Sequence, residues 1–181
     1  MREVLISIQP KWCELIASGK KTIEVRKTRP KIDTPFKCYI YCTQGKTLDD
    51  ILTFAEYENG EYMGDYYANG KVIGEFVCRN IYFLDESALF GGMDEISNSV
   101  IEEYSCLSID DLLAYKGNKK EIYGWSISDL VFYEQPKELS EFINYDRCPY
   151  GGMVDCNKCG EHHCLKRPPQ SWCYVQKGGA E

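Results

Sequence analysis

The densest chemistry in this 181-residue chain lies in SGKKTIEVRK, where Gly19, Lys21, Glu24 and Arg26 follow one another at close spacing. TIEVR alternates, so a strand here puts Thr22, Glu24 and Arg26 on one face and Ile23 and Val25 on the other. A glutamate stabilises the charged form of a neighbouring lysine, whereas partial burial opposes it. The balance sets how readily the lysine transfers protons. Arg26 offers a planar fork to a phosphate or a carbonyl. Together these groups could bind a nucleotide phosphate, or polarise an amide while Glu24 positions water. The plainer alternative is a surface ion pair of Glu24 with Arg26, contributing about 0–1 kcal/mol.

Charge is segregated around this run. Lys20, Lys21, Arg26, Lys27, Arg29, Lys31 and Lys37 face only Glu24 and Asp33 in the window 18–37, although the whole chain carries −7. Such a basic island in an acidic chain is a local site for an anion, with Lys27, Arg29 and Lys31 forming a solvated loop that either steers anions or is only surface. A pI near 5.0 argues against sequence-independent binding of long duplexes, which needs many phosphate contacts. A nucleotide or a short single strand remains compatible.

A second constellation is Cys148, Cys156, Cys159 and Cys164, with spacing C-x7-C-x2-C-x4-C. CNKCG has the form of a zinc knuckle, in which two thiolates chelate one ion and the glycine permits the turn. Four thiolates fill a tetrahedral shell, and His162 or His163 could replace one of them. The reading is structural Zn²⁺ that holds the following RPPQSWCYV in place; an iron–sulfur cluster and unliganded thiols are the alternatives. The other six cysteines lie in apolar patterns and read as small buried side chains. Trp12, Trp125 and Trp172 are candidates to stack on a base, each against a core role, while Gln170 and Ser171 can address a base edge.

These residues need a scaffold. EVLISI (3–8) reads as a buried strand, WCELIAS as a helix opened by Pro10 and ended by Gly19, and FKCYIYCT (36–43) as a further strand. The Asn-Gly pairs in YENGEY and YANGK favour tight turns, and 71–84 reads as one long strand with a bulge at Gly74. Residues 86–117 look helical and acidic, with Ser108 as N-cap and Gly117 as stop. YGWSISDLVFY (123–133) returns to strand, with Pro136 ending it. Five to six strands, two or three helices and no βαβ rhythm predict an α+β protein, a small mixed barrel. The short apolar stretch of MREVLISIQPKW is neither signal nor span, so the chain reads as cytoplasmic with no membrane contact.

Gly19-x-Lys21-x-x-Glu24-x-Arg26 resembles the GxKxxExR signature of the ASCH family, whose members adopt a PUA-like β-barrel. LISIQPKWCELIASGKKTIEVRKTRP, YGWSISDL and RPPQSWCYV look like its phage- and prophage-associated branch. The resemblance covers most of 1–135 and 167–175, and the chain reads as a barrel over 1–143 and 165–176 with a Cys-rich insertion at 144–164 and a disordered tail at 177–181. The resemblance also implies binding of RNA, single-stranded nucleic acid or a modified nucleotide in a cleft lined by the motif. One ASCH group removes acetyl from N4-acetylcytidine with a lysine at the place of Lys21, a threonine at that of Glu24 and a later glutamate, for which Glu103 is the candidate. Glu24 replaces the threonine and removes its hydroxyl, which favours binding over nucleophilic catalysis. Hydrolysis of a modified nucleoside or of RNA is the alternative, with Lys21, Glu24 and Glu103 as its residues; protein interaction through the acidic stretch 86–117 is another.

Overall fold

Apolar and β-branched residues dominate EVLISI, which forms β1 (Glu3–Ile8) with Val4 to Ile8 all buried. A computed structural model describes residues 2–89, 98–144 and 163–177. Pro10 opens α1 (Pro10–Ala17), where its missing N–H has no helical partner to lose, and Gly19 at φ 72° lies just beyond its end. There follow β2 (Ile23–Arg26), β3 (Phe36–Cys42), β4 (Thr53–Glu58), β5 (Glu61–Tyr67), β6 (Val72–Cys78) and β7 (Ile81–Leu84). Helices α2 (Glu86–Leu89), α3 (Asn98–Ser105) and α4 (Ile109–Lys116) precede β8 (Ile122–Ser126), β9 (Ser128–Lys137), β10 (Phe142–Asn144) and β11 (Trp172–Lys177). The fold is mixed α+β and mostly sheet.

Among the described residues the strands form three sheets, in the orders β10-β11-β1-β3-β6-β9, β2-β8-β7 and β4-β5. The expected five or six strands are thus eleven, and each sheet is an open series rather than a closed barrel. β1 pairs with β11 antiparallel and with β3 in parallel, a crossover that strand-by-strand reading did not anticipate. The expected strand 71–84 breaks after Cys78, where the backbone N–H groups of Arg79 and Asn80 both donate to Ser126 Oγ at 3.1 and 2.9 Å. A hydroxyl thereby takes donors that a ladder would have used. Pro136 does not end its strand: β9 runs on to Lys137, and as the sheet's edge strand it tolerates a residue with no N–H. At Gly74 a Cβ would stand 2.4 Å from Val131 O, so the glycine serves close backbone approach instead of the expected bulge. Asn59 (φ 52°) and Gly60 (φ 84°) make the tight turn of the β4–β5 hairpin, as Asn-Gly predicts.

The chain divides into two compact units, one of residues 1–14, 37–76 and 130–181, the other of 15–36 and 77–129. The first packs Leu5, Tyr39, Tyr41, Val72, Phe142, Leu165 and Val175 into a core. In it, Asn144 N–H donates to His163 O at 2.9 Å and Leu165 N–H to Phe142 O at 2.8 Å, so the two ends of the 145–162 segment are tied together. The second has its own core of Ile23, Val25, Leu84, Leu89, Ile101, Leu112 and Ile122. Helix α4 in this unit begins at Ser108, whose hydroxyl accepts from Asp111 N–H, and stops at Gly117, both as expected.

Candidate functional site

The motif lies wholly within the second unit. Beyond α1 the chain turns at Gly19, whose N–H donates to Ile16 O while Lys21 N–H donates to Leu15 O, both at 3.0 Å. β2 then alternates as expected: Ile23 and Val25 enter the core, and Glu24 and Arg26 take the opposite face. Glu24 holds a cation at each oxygen, with Oε1 2.5 Å from Arg26 Nη1 and Oε2 3.4 Å from Lys21 Nζ. The ammonium also donates to Ile23 O at 2.9 Å and Ser105 O at 2.6 Å.

Burial decides what this cluster is. Side chains of Lys21 and Glu24 are 2% and 3% exposed, so the surface ion pair is not the arrangement found; Arg26, at 13%, is the member that reaches towards solvent. Two cations on one carboxylate leave the cluster at +1. Removing charges from water is costly, and the hydrogen bonds to Ile23 O and Ser105 O offset part of that cost for the ammonium.

Sequence reasoning missed the partner that completes the cluster. The C-terminus of α3 sits on the motif: Tyr104 O accepts from Thr22 N–H at 2.9 Å, Ser105 O accepts from Lys21 Nζ, and Cys106 Sγ reaches Lys20 O at 3.5 Å. Helix C-termini carry partial negative charge, so an ammonium is at home there. The Lys21–Ser105 bond spans 84 positions, and no local signal could have announced it. Ser105 Oγ is itself buried with no hydrogen-bond partner among the described residues.

The remaining expected residues fall in several places. Glu103, on α3, is exposed, while Ser105 two residues on is the one that meets Lys21. Trp125 pairs with Glu24 across β2–β8 but is fully buried, edge-on to Phe36 at 5.8 Å, and in this arrangement it is core. Trp12, Gln170, Ser171 and Trp172 belong to the first unit. There Trp12 lies under Lys11 Nζ at 4.1 Å, Trp172 meets Tyr174 edge-on at 5.4 Å, Ser171 O accepts Ser7 N–H, and Gln170 is exposed. Cys148, Cys156, Cys159 and His162 lie outside the described residues; Cys164 is half-buried and His163 buried. Among the described residues no three His, Cys, Asp or Glu gather as metal ligands.

The basic island is divided too. Lys37 belongs to the first unit and pairs with Glu75 at 2.7 Å, whereas Lys27 lies over Tyr115 and Arg29 over Phe83 in the second. A hollow of about 480 Å³ in the second unit is lined by Asp85, Glu86 and residues 116–120, and takes none of the motif residues. No helix among the described residues is long and apolar enough to cross a membrane.

The chain is similar in fold to solved ASCH structures from Zymomonas mobilis. A tyrosine-to-phenylalanine mutant of that protein matches at 20% identity and a TM-score of 0.59, with 98% of this chain and 93% of that one covered. The unsubstituted ASCH matches at 20% and 0.58, covering 97% and 88%. A serine-to-alanine mutant matches at 19% and 0.58, covering 97% and 89%. No curated protein matches. The family model described as ASCH domain matches residues 6–145, and the chain therefore belongs to the ASCH domain family.

Proposed function

We propose that this protein binds single-stranded RNA or a modified nucleotide through the Gly19–Arg26 motif of a PUA-like domain. The observation that carries the reading is the buried +1 cluster, in which Lys21 and Arg26 share the single carboxylate of Glu24. Lys21 donates to Ile23 O and Ser105 O and pairs ionically with Glu24, so its part is to hold the cluster and α3 together. Arg26 is the contact for phosphate, fixed in direction by Glu24 and by its bond to Val25 O at 3.1 Å. Membership of the phage- and prophage-associated branch is proposed on the stretches LISIQPKWCELIASGKKTIEVRKTRP, YGWSISDL and RPPQSWCYV.

The test is to incubate the protein with short single-stranded RNAs and with N4-acetylcytidine, alongside Lys21→Ala and Arg26→Ala variants checked by circular dichroism. Expected is salt-sensitive RNA binding without product, weakened by Arg26→Ala. Product formation abolished by Lys21→Ala would replace binding with hydrolysis, the alternative in which Glu24 positions water.

Residues 148–164 are proposed to hold structural Zn²⁺ through Cys148, Cys156, Cys159 and Cys164, with His162 or His163 as a substitute ligand. The hydrogen-bonded ends of the segment at Asn144 and His163 support it as an insertion that an internal crosslink would close. Elemental analysis of chelator-free, reduced protein should find one zinc per chain, and Cys159→Ser should release it. Metal-free wild type would end this part of the proposal.

A further inference from the structure

The motif's own sheet carries a second feature at its outer end. Arg26 pairs with Tyr123 across β2–β8, and Tyr123 pairs with Phe83 across β8–β7, so the three form one cross-strand row on one face. The next row, Glu24–Trp125–Ile81, lies on the same face but is buried at Glu24 and Trp125. Exposure rises along the outer row, from 13% at Arg26 to 52% at Phe83. Phe83 and Tyr123 meet edge to face, with centroids 5.6 Å apart and planes at 71°. Arg29 lies over both rings, at 5.2 Å from Phe83 and 6.0 Å from Tyr123.

A half-exposed phenylalanine in a short strand contributes little to the core beneath it, which Tyr82 and Leu84 serve from the other face. From this row we infer that Phe83 and Tyr123 form a stacking platform for an unpaired base of single-stranded RNA, with Arg29 closing over the base and Arg26 holding a phosphate. Charge selects this occupant over a protein segment. Arg26, Lys27 and Arg29 are drawn from the chain's basic island, against Glu24, which is buried on Arg26, and Glu121, which accepts the Tyr123 hydroxyl at 2.6 Å. Rings interleaved with guanidinium groups are how single strands are held without sequence preference, because every base has a π face. Two interstrand steps, about 10 Å, separate the strand of Phe83 from that of Arg26, which lets ring and guanidinium act on different parts of one strand. The inference rests on the RNA-binding reading and adds to it the site that takes the base.

Titration calorimetry at low salt separates the two. The probes are an eight-residue oligoadenylate RNA and an abasic ribose–phosphate strand of equal length. Wild type should bind the oligoadenylate about ten-fold or more tightly than the abasic strand, the size expected of one stacked base. Phe83→Ala and Phe83→Leu should erase that preference while leaving abasic binding unchanged, and Phe83→Trp should keep it. Arg26→Ala, which removes the phosphate contact, should lower the salt dependence of binding by about one ion, and Arg29→Ala should weaken the preference for the oligoadenylate. A preference that survives both Phe83→Ala and Phe83→Leu overturns the platform, as does equal wild-type affinity for the two strands; RNA binding itself then stands. Binding of neither strand overturns the RNA-binding reading instead. Self-association that Phe83→Ala abolishes without changing RNA affinity would mean that a second copy covers the face, and it too overturns the platform.

Discussion

The two units bury carboxylates by opposite means. In the second, Glu24 is enclosed by two cations at 3% exposure, and the cluster keeps a positive charge. In the first, Glu3 accepts the Tyr39 hydroxyl at 2.7 Å, and Glu75 takes the Tyr133 hydroxyl at 2.5 Å together with Lys37. Phenols are neutral, so they satisfy an acid without adding charge, and the acids there remain half-exposed. Burial holds Tyr39 and Tyr133 far above the ordinary phenol range, with their bonds to Glu3 and Glu75 adding to the effect. Burial alone would raise Glu75, but Lys37 and Tyr133 outweigh it and hold the carboxyl below its usual value. The contrast separates a carboxylate outnumbered by cations from carboxylates held largely by neutral hydroxyl donors.

The comparison breaks first at Glu24. Glu24→Gln leaves the buried Lys21 and the partly buried Arg26 uncompensated, and urea unfolding should show a loss on the order of 3 kcal/mol. A loss below about 1 kcal/mol would make the cluster energetically a surface pair. The counterpart, Tyr133→Phe, leaves Glu75 with Lys37 and should cost about 1 kcal/mol.

Titration sharpens the contrast. Raised phenols contribute stability that is present below their ordinary value of 10.0 and lost as pH rises beyond it, so Tyr39 and Tyr133 should ionise last in a spectrophotometric titration, as the fold opens. Burial pushes the Cys78 thiol up to about 12 from 9.0, which places its share of the loss between those values and should make it slow to react with thiol reagents. Glu75, held low, contributes above its ordinary 4.5 and loses that stability as pH falls; Tyr133→Phe should flatten this acid limb. The smallest effect belongs to Arg79→Ala, because Arg79 and Asp129 form a pair more than half exposed, and thermal melts should register under about 1 kcal/mol.

Much of this was legible in order along the chain. β1, α1 with its Gly19 terminator, the two-faced β2, the Asn59-Gly60 turn and the Ser108–Gly117 helix all follow from local periodicity and capping. Strand ends were misread where a distant group intervened, as Ser126 Oγ does at Arg79 and Asn80, or where an edge position spared Pro136. In the site, Lys21, Glu24 and Arg26 were legible as a set, but the carbonyl of Ser105 was not, nor the row that Tyr123 and Phe83 make with Arg26.

Alternation on one strand by itself determined that Glu24 and Arg26 share a face, because the period of a strand is two whatever lies around it. Tertiary structure alone decided that Lys21 and Glu24 are buried and that α3 ends on them, because burial and hydrogen bonds across 84 positions depend on how separate elements pack.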